Sequence, residues 1–126
     1  MTYLLVGIAG FIGSIMRFTI SLVLSPFHPT VLPLGTIFVN LIGCFCLPFI
    51  TFYIFKKFPI RHIYQTAINT GLIGSFTTFS AVSLETITLF EKNHFLLGFI
   101  YIFISLFGGM AMCRLGLILA EKKEKF

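Results

Sequence analysis

Charge is scarce in this chain of 126 residues: charged side chains make up 10% of it, only four are acidic, and tryptophan is absent. A soluble domain of this size needs a polar shell that such a composition cannot supply, because 57% of the residues are hydrophobic and the mean hydropathy is +1.02. Cysteine is also sparse. Cys44, Cys46 and Cys113 lie inside apolar stretches with no histidine or acid at ligand spacing, and residues two apart on a helix point to different sides. They read as buried, inert thiols, and neither a metal cluster nor a disulfide framework is expected. The histidines stand at loop positions 28, 62 and 94, away from any nucleophile, so no enzyme is expected. The net charge of +5 comes without aromatics interleaved on a basic face, which argues against nucleic-acid binding.

What the chain has in quantity is phenylalanine, seventeen of them, and long apolar runs. Four runs approach the roughly 20 residues that cross a bilayer. They cover about 3–24, 33–55, 63–90 and 95–120, separated by the polar stretches Ser25-Pro26-Phe27-His28-Pro29, Lys56-Lys57-Phe58-Pro59 and Glu91-Lys92-Asn93-His94. The first run lacks a basic leader and a small-residue cleavage site, so it reads as a span and not a signal peptide. The expected fold is all-α and integral to the membrane, a single domain over 1–126 with four transmembrane helices. An even number of spans leaves both termini on one side. Lys56, Lys57, Arg61, Lys122, Lys123 and Lys125 flank that side and only Lys92 flanks the other, which predicts cytoplasmic termini.

Polar residues within a span carry the functional information. The first span holds Gly7, Gly10, Gly13 and Ser14, a strip of small residues that admits another helix backbone. Arg17 follows. It reads either as an interfacial anchor reaching toward the 25–32 loop or as the electropositive vestibule of an anion path. In the second span Thr36, Asn40 and Gly43 fall on one helix face, at i, i+4 and i+7. Asn40 reads either as interhelical glue or as part of a polar stripe along a pathway. In the fourth span Tyr101, Ser105 and Gly109 share a face and supply two hydroxyls.

The third span is the most informative. It is long for one straight crossing, and its middle reads Gly71-Leu72-Ile73-Gly74-Ser75-Phe76-Thr77-Thr78-Phe79-Ser80. Glycines followed by serine and paired threonines are poor helix formers, so a broken helix is predicted, with a kinked span as the plainer alternative. Carbonyls released at a break must line a cavity or hold a cation, and a half-helix starting near Thr77 would turn its positive end toward an anion. Glu85, later in the span, is expected to pair with a base or to sit in a wet vestibule.

Taken together, Gly10–Arg17 as G-x-x-G-x-x-x-R, Gly35–Gly43 as G-T-x-x-x-N-x-x-G, and Gly74–Ser80 as G-x-x-T-T-F-S resemble the Fluc (CrcB-type) fluoride channels of microbes. The similarity runs over nearly the whole chain. It implies a fluoride-selective channel that exports fluoride passively and relieves its toxicity, built as an antiparallel dimer with two pores and a structural sodium ion (Na+) at its centre. It further implies that Gly74 and Thr77 give backbone carbonyls to the sodium. Asn40, Phe79, Thr36, Tyr101, Ser105 and Ser80 would border the fluoride pathway, with Arg17 in the vestibule. Such donors suit a small, tightly hydrated anion: amide and hydroxyl groups replace water, and a phenyl edge faces the ion without trapping it.

The chain departs from the family pattern at two places. The second phenylalanine of T-T-F-S-T-F is replaced by Val82, and a hydroxyl one turn past Ser105 is replaced by Gly109. The charge bias adds a third consideration. A chain that fixes its own orientation does not readily supply an inverted copy of itself, so its partner is expected to be a related subunit of opposite bias, with a homodimer as the alternative. Two rival functions stand beside the channel reading. Small multidrug-type exporters need an acid in the first span, which this chain lacks; a non-conducting membrane scaffold is the other.

Overall fold

The computed structural model describes residues 1–24 and 32–125, except for the side chain of Glu124. The Ser25-to-Pro29 punctuation, with His28, lies outside the described residues. The described residues form five helices: α1 (Thr2–Leu24), α2 (Leu34–Lys57), α3 (62–76), α4 (Ser80–Glu91) and α5 (Phe95–Lys123). They make four spans long and apolar enough to cross a membrane, the third being α3 and α4 in series. The fold is therefore all-helical with a broken third span, as the sequence predicts.

Lipid is as apolar as leucine, so helices in it are held by close fit more than by exclusion of water. Glycine provides that fit here. An added methyl at Gly13 would overlap the Leu72 carbonyl, and one at Gly71 would come within 2.6 Å of the Val6 carbonyl; Gly10 lies 3.0 Å from Ser75 Oγ by the same measure. This is the α1–α3 crossing. The expected small-residue strip is thus used at Gly10 and Gly13, whereas nothing approaches Gly7 within 4 Å. Across the bundle, Gly116 of α5 lies against the Phe45 carbonyl of α2, and Gly98 against the ring of Phe90.

A tight turn reverses the chain between α4 and α5. Asn93 takes a left-handed conformation (φ 60°), which asparagine tolerates better than most residues. His94 N–H then donates to Leu89 O at 2.9 Å and Asn93 N–H to Phe90 O at 3.0 Å, the Schellman arrangement that satisfies the last carbonyls of α4. Phe90 stacks on Phe95 and meets Phe99 at a tilt, which closes the corner. Beside it lies the small core of Ile37, Leu89 and Tyr101, with Leu34, Leu41 and Val82 packed around it.

Three stretches widen from the α-helical repeat to i→i+5 bonding: Ile50–Ile54 in α2, Ala67–Ile73 in α3 and Ile104–Gly108 in α5. The first follows Pro48, which has no N–H to continue the ladder and crowds the preceding turn. Such widened turns re-aim side chains. Here they carry Thr51, Asn69 and Ser105.

Candidate functional site

The break in the third span is built by side chains that divert backbone donors. Phe76 ends α3, Thr77 is extended (φ −82°, ψ 158°), and α4 begins at Ser80. An unbroken helix would aim Thr78 N–H at Gly74 O. That N–H goes instead to Asn40 Oδ1 at 2.7 Å, and Asn40 Nδ2 donates back to Thr78 O at 2.9 Å. Likewise Ala81 N–H, whose helical target would be Thr77 O, goes to Thr78 Oγ1 at 3.2 Å. Gly74 and Thr77 are therefore two of the carbonyls at the break whose usual donors are taken away. Thr77 Oγ1 reaches Gly74 O at a long 3.4 Å. The second half-helix starts three residues later than expected, because Thr78 Oγ1, bonded also to Ser80 Oγ at 3.2 Å, caps it from inside the break.

Glycine also fixes the break from the side of α2. A methyl at Gly43 would overlap Thr77 Cγ2, so α2 and the break touch backbone to side chain there. Thr36, Asn40 and Gly43 do lie on one face, and that face is turned onto α4 and the break.

The hydroxyls expected to form one track behave differently from one another. Thr36 Oγ1 donates to Glu85 Oε1 at 2.8 Å and Tyr101 OH donates to Glu85 Oε2 at 2.5 Å. Both donors are buried, and each engages one oxygen of a half-buried carboxylate. Glu85 is thus paired with hydroxyls, where the sequence suggested a base or a wet vestibule. Ser105 Oγ, by contrast, is buried with no hydrogen-bond partner among the described residues.

A cavity of about 450 Å³ runs beside the break. Asn40, Asn69, Gly74, Thr77, Phe79 and Ser105 are among the residues that border it. Phe79 stands 84% exposed, so its ring projects beyond its own chain. Arg17 sits half-buried on α1 and does not border this cavity. Thr36 and Tyr101 lie off its wall as well.

Asn69 was not singled out in the sequence, although a polar residue inside an apolar span is itself a signal. Its Nδ2 donates to Thr51 Oγ1 at 3.0 Å, and that hydroxyl in turn donates to Leu47 O at 2.7 Å. Because the Thr51 proton is already committed, Thr51 can only accept from Asn69, which fixes the orientation of the amide. Asn69 Oδ1 is left as a buried acceptor without a donor among the described residues.

The chain is similar to known proteins along nearly its whole length. The family described as CrcB-like protein, Camphor Resistance (CrcB), matches residues 4–117. A Bacillus cereus protein named fluoride-specific ion channel FluC 1 is 40% identical over 119 residues, covering 94% of this chain and 87% of the relative. One of the same name from Desulfitobacterium hafniense is 41% identical over 113 residues, covering 90% of this chain and 97% of its own. Fluoride-specific ion channel FluC 2 of Geobacillus kaustophilus is 38% identical over 125 residues, covering 99% and 97%. With its four spans, its broken third helix and a match across nearly its whole length, the chain belongs to the CrcB-like family.

Proposed function

We propose that this protein is a fluoride-selective channel that carries the ion passively out of the cell, in keeping with the names of its relatives. The single observation that carries the reading is the cavity at the helix break, whose wall combines amide and hydroxyl donors with an aromatic ring. Ser105 contributes a buried hydroxyl with no partner among the described residues, Asn40 an amide with one N–H engaged on Thr78 O, and Phe79 an exposed ring. Amide and hydroxyl donors replace the hydration of a small anion, and the positive edge of a phenyl ring tolerates it without a deep well. Thr36 and Tyr101 act one step back in this reading. They hold the Glu85 carboxylate on the α2–α4–α5 side and keep its charge off the path.

The exposed ring and the exposed Gly74 call for a second subunit, which we place antiparallel to the first. A structural sodium ion at the junction fits the residues present. Gly74 and Thr77 offer carbonyl oxygens stripped of their helical donors, the ligand type a hard monovalent cation takes, and two such oxygens from each subunit complete a small shell. Bound there, the ion would neutralise the carbonyl dipoles and lock the two breaks together. Arg17 is assigned to the vestibule, where its charge draws anions toward the bundle.

The test is the assembled channel, this chain purified together with its partner subunit, in liposomes loaded with potassium fluoride, with efflux followed by a fluoride electrode. Rapid fluoride release with little chloride release is expected. Equal chloride release, exchange of protons for cationic drugs, or no ion flux at all from a correctly assembled protein would overturn the channel reading in favour of an exporter or a scaffold.

A further inference from the structure

At the end of the bundle where α2 and α5 finish, Tyr53, Lys57, Leu119, Lys122 and Lys123 wall a second cavity of about 470 Å³. Two ammonium groups from different helices converge on one ring: Lys57 Nζ lies 5.5 Å and Lys123 Nζ 5.7 Å from the centre of Tyr53. Lys57 Nζ also donates to Tyr53 OH at 3.3 Å. Lysines serving only as a positive flank would spread apart to lower their repulsion and to hydrate fully. Here Lys57 and Lys123 instead share one aromatic ring, all three lysines share one concavity, and among the described residues no carboxylate pairs with Lys57, Lys122 or Lys123. The concavity therefore gathers positive charge that no carboxylate among the described residues satisfies.

We infer that this concavity binds the phosphate of an anionic phospholipid headgroup. The ligand's chemistry is that of a phosphate ester, which multiple ammonium donors and a tyrosine hydroxyl recognise. Its position selects the lipid over free phosphate. The site lies at the terminal turns of two spans, the level at which headgroups sit, and Leu119 with the apolar body of Tyr53 offers a wall against which acyl chains continue. Basic pockets between membrane helices bind lipid headgroups by this logic.

The test uses the full chain, released from detergent for native mass spectrometry with phosphatidylglycerol or phosphatidylcholine of matched acyl chains. Retention of phosphatidylglycerol over phosphatidylcholine by about tenfold is expected, and Lys57→Gln with Lys123→Gln should erase that preference, since each lysine at a membrane surface contributes roughly a fivefold effect. Arg61→Gln with Lys125→Gln removes the same charge at the same end but outside the cavity, and should leave the preference intact. Equal loss in both pairs would reduce the site to diffuse charge and overturn it. Displacement of the lipid by millimolar inorganic phosphate would make free anion the ligand, and likewise overturn it. Fluoride flux in phosphatidylcholine liposomes should be unchanged by the Lys57 and Lys123 substitutions; its loss would place these residues on the ion path instead.

Discussion

Asn40 grips Thr78 at two points, accepting from its N–H at 2.7 Å and donating to its C=O at 2.9 Å, so that one side chain of α2 holds the peptide on either side of a residue in the third span. The pairing imitates a rung of a sheet ladder in the middle of a helical protein. It removes the donor that would have closed over Gly74 O. The break thus persists because its polar groups have better partners than the helix offers, and Asn40 is at once glue and the means by which a carbonyl stays open.

Asn40→Asp keeps the acceptor for Thr78 N–H and replaces the donor to Thr78 O with a second carboxylate oxygen. Fluoride flux in liposomes should vanish, because an anionic group now stands beside the path and repels the Thr78 carbonyl. Asn40→Ala leaves both Thr78 groups unpaired, at a cost of about 1–3 kcal/mol for each buried group, and should lower the thermal unfolding midpoint in detergent. An Asp variant that conducts normally would remove Asn40 from the pathway.

Gly43 and Thr77 make a pair that can be tested by rescue. A methyl at Gly43 overlaps Thr77 Cγ2, while its next contact, Phe76 Cδ1, lies at a comfortable 3.6 Å. Gly43→Ala should therefore destabilise the protein by about 1–3 kcal/mol. Adding Thr77→Ser deletes the offending methyl, keeps the hydroxyl bonded to Ile73 O, and should restore most of the loss. A double variant no more stable than Gly43→Ala alone would show that the overlap is relieved elsewhere.

Gly74 behaves in the opposite way. A methyl there meets only ordinary contact, 3.5 Å from Asn69 O, and the backbone is helical at φ −61°. The subunit itself accepts Gly74→Ala, and the change should hold or raise its stability by up to about 1 kcal/mol, because alanine favours the helix. The bulkier, β-branched Gly74→Val projects from an exposed face, and if the proposed second subunit packs there it should cost dimer assembly or flux, measured by crosslinking and fluoride efflux. Full assembly and flux in the valine variant would count against a cation held between the breaks.

The four spans were legible because composition and run length suffice for them. The break was legible from residue type. Length was the weaker guide: α5 is 29 residues long and continuous, against 30 for the broken span, so glycine and paired threonine decided the matter. Thr36, Asn40 and Gly43 were rightly placed on one face. What that face touches was hidden, because the partner residues Glu85, Thr78 and Thr77 lie 49, 38 and 34 positions away, and no local period encodes such a meeting. The same reason concealed the division of labour among the hydroxyls, with Thr36 and Tyr101 held by Glu85 and Ser105 left over. Arg114, exposed on α5, is a further base within the fourth span.

That arginine bears on the partner. It lies toward the end of α5 that carries Lys122 and Lys123, while Arg17 lies toward the opposite end, so the bias stays heavily on the side of the termini. The cavity shared by Lys57, Lys122 and Lys123 brings the two main basic clusters to one end of the bundle. A chain so marked should insert in one orientation, termini inside. An antiparallel dimer then needs a related subunit with the reverse bias. The break supports the same expectation: Phe79 reaches beyond its own subunit, whereas Val82, where the family pattern has its second phenylalanine, turns back onto the core of Ile37, Leu89 and Tyr101. A pore that borrows one ring from each subunit would be complete on one side of such a pair and deficient on the other. Expressing this chain alone, with tags at both termini tested for access from each side of the membrane, should find the termini on the cytoplasmic side only and fluoride flux weak or absent. Co-expression with a related chain of opposite bias should restore flux through a single class of pore. Termini divided evenly between the two sides, together with strong flux from this chain alone, would establish a homodimer in its place.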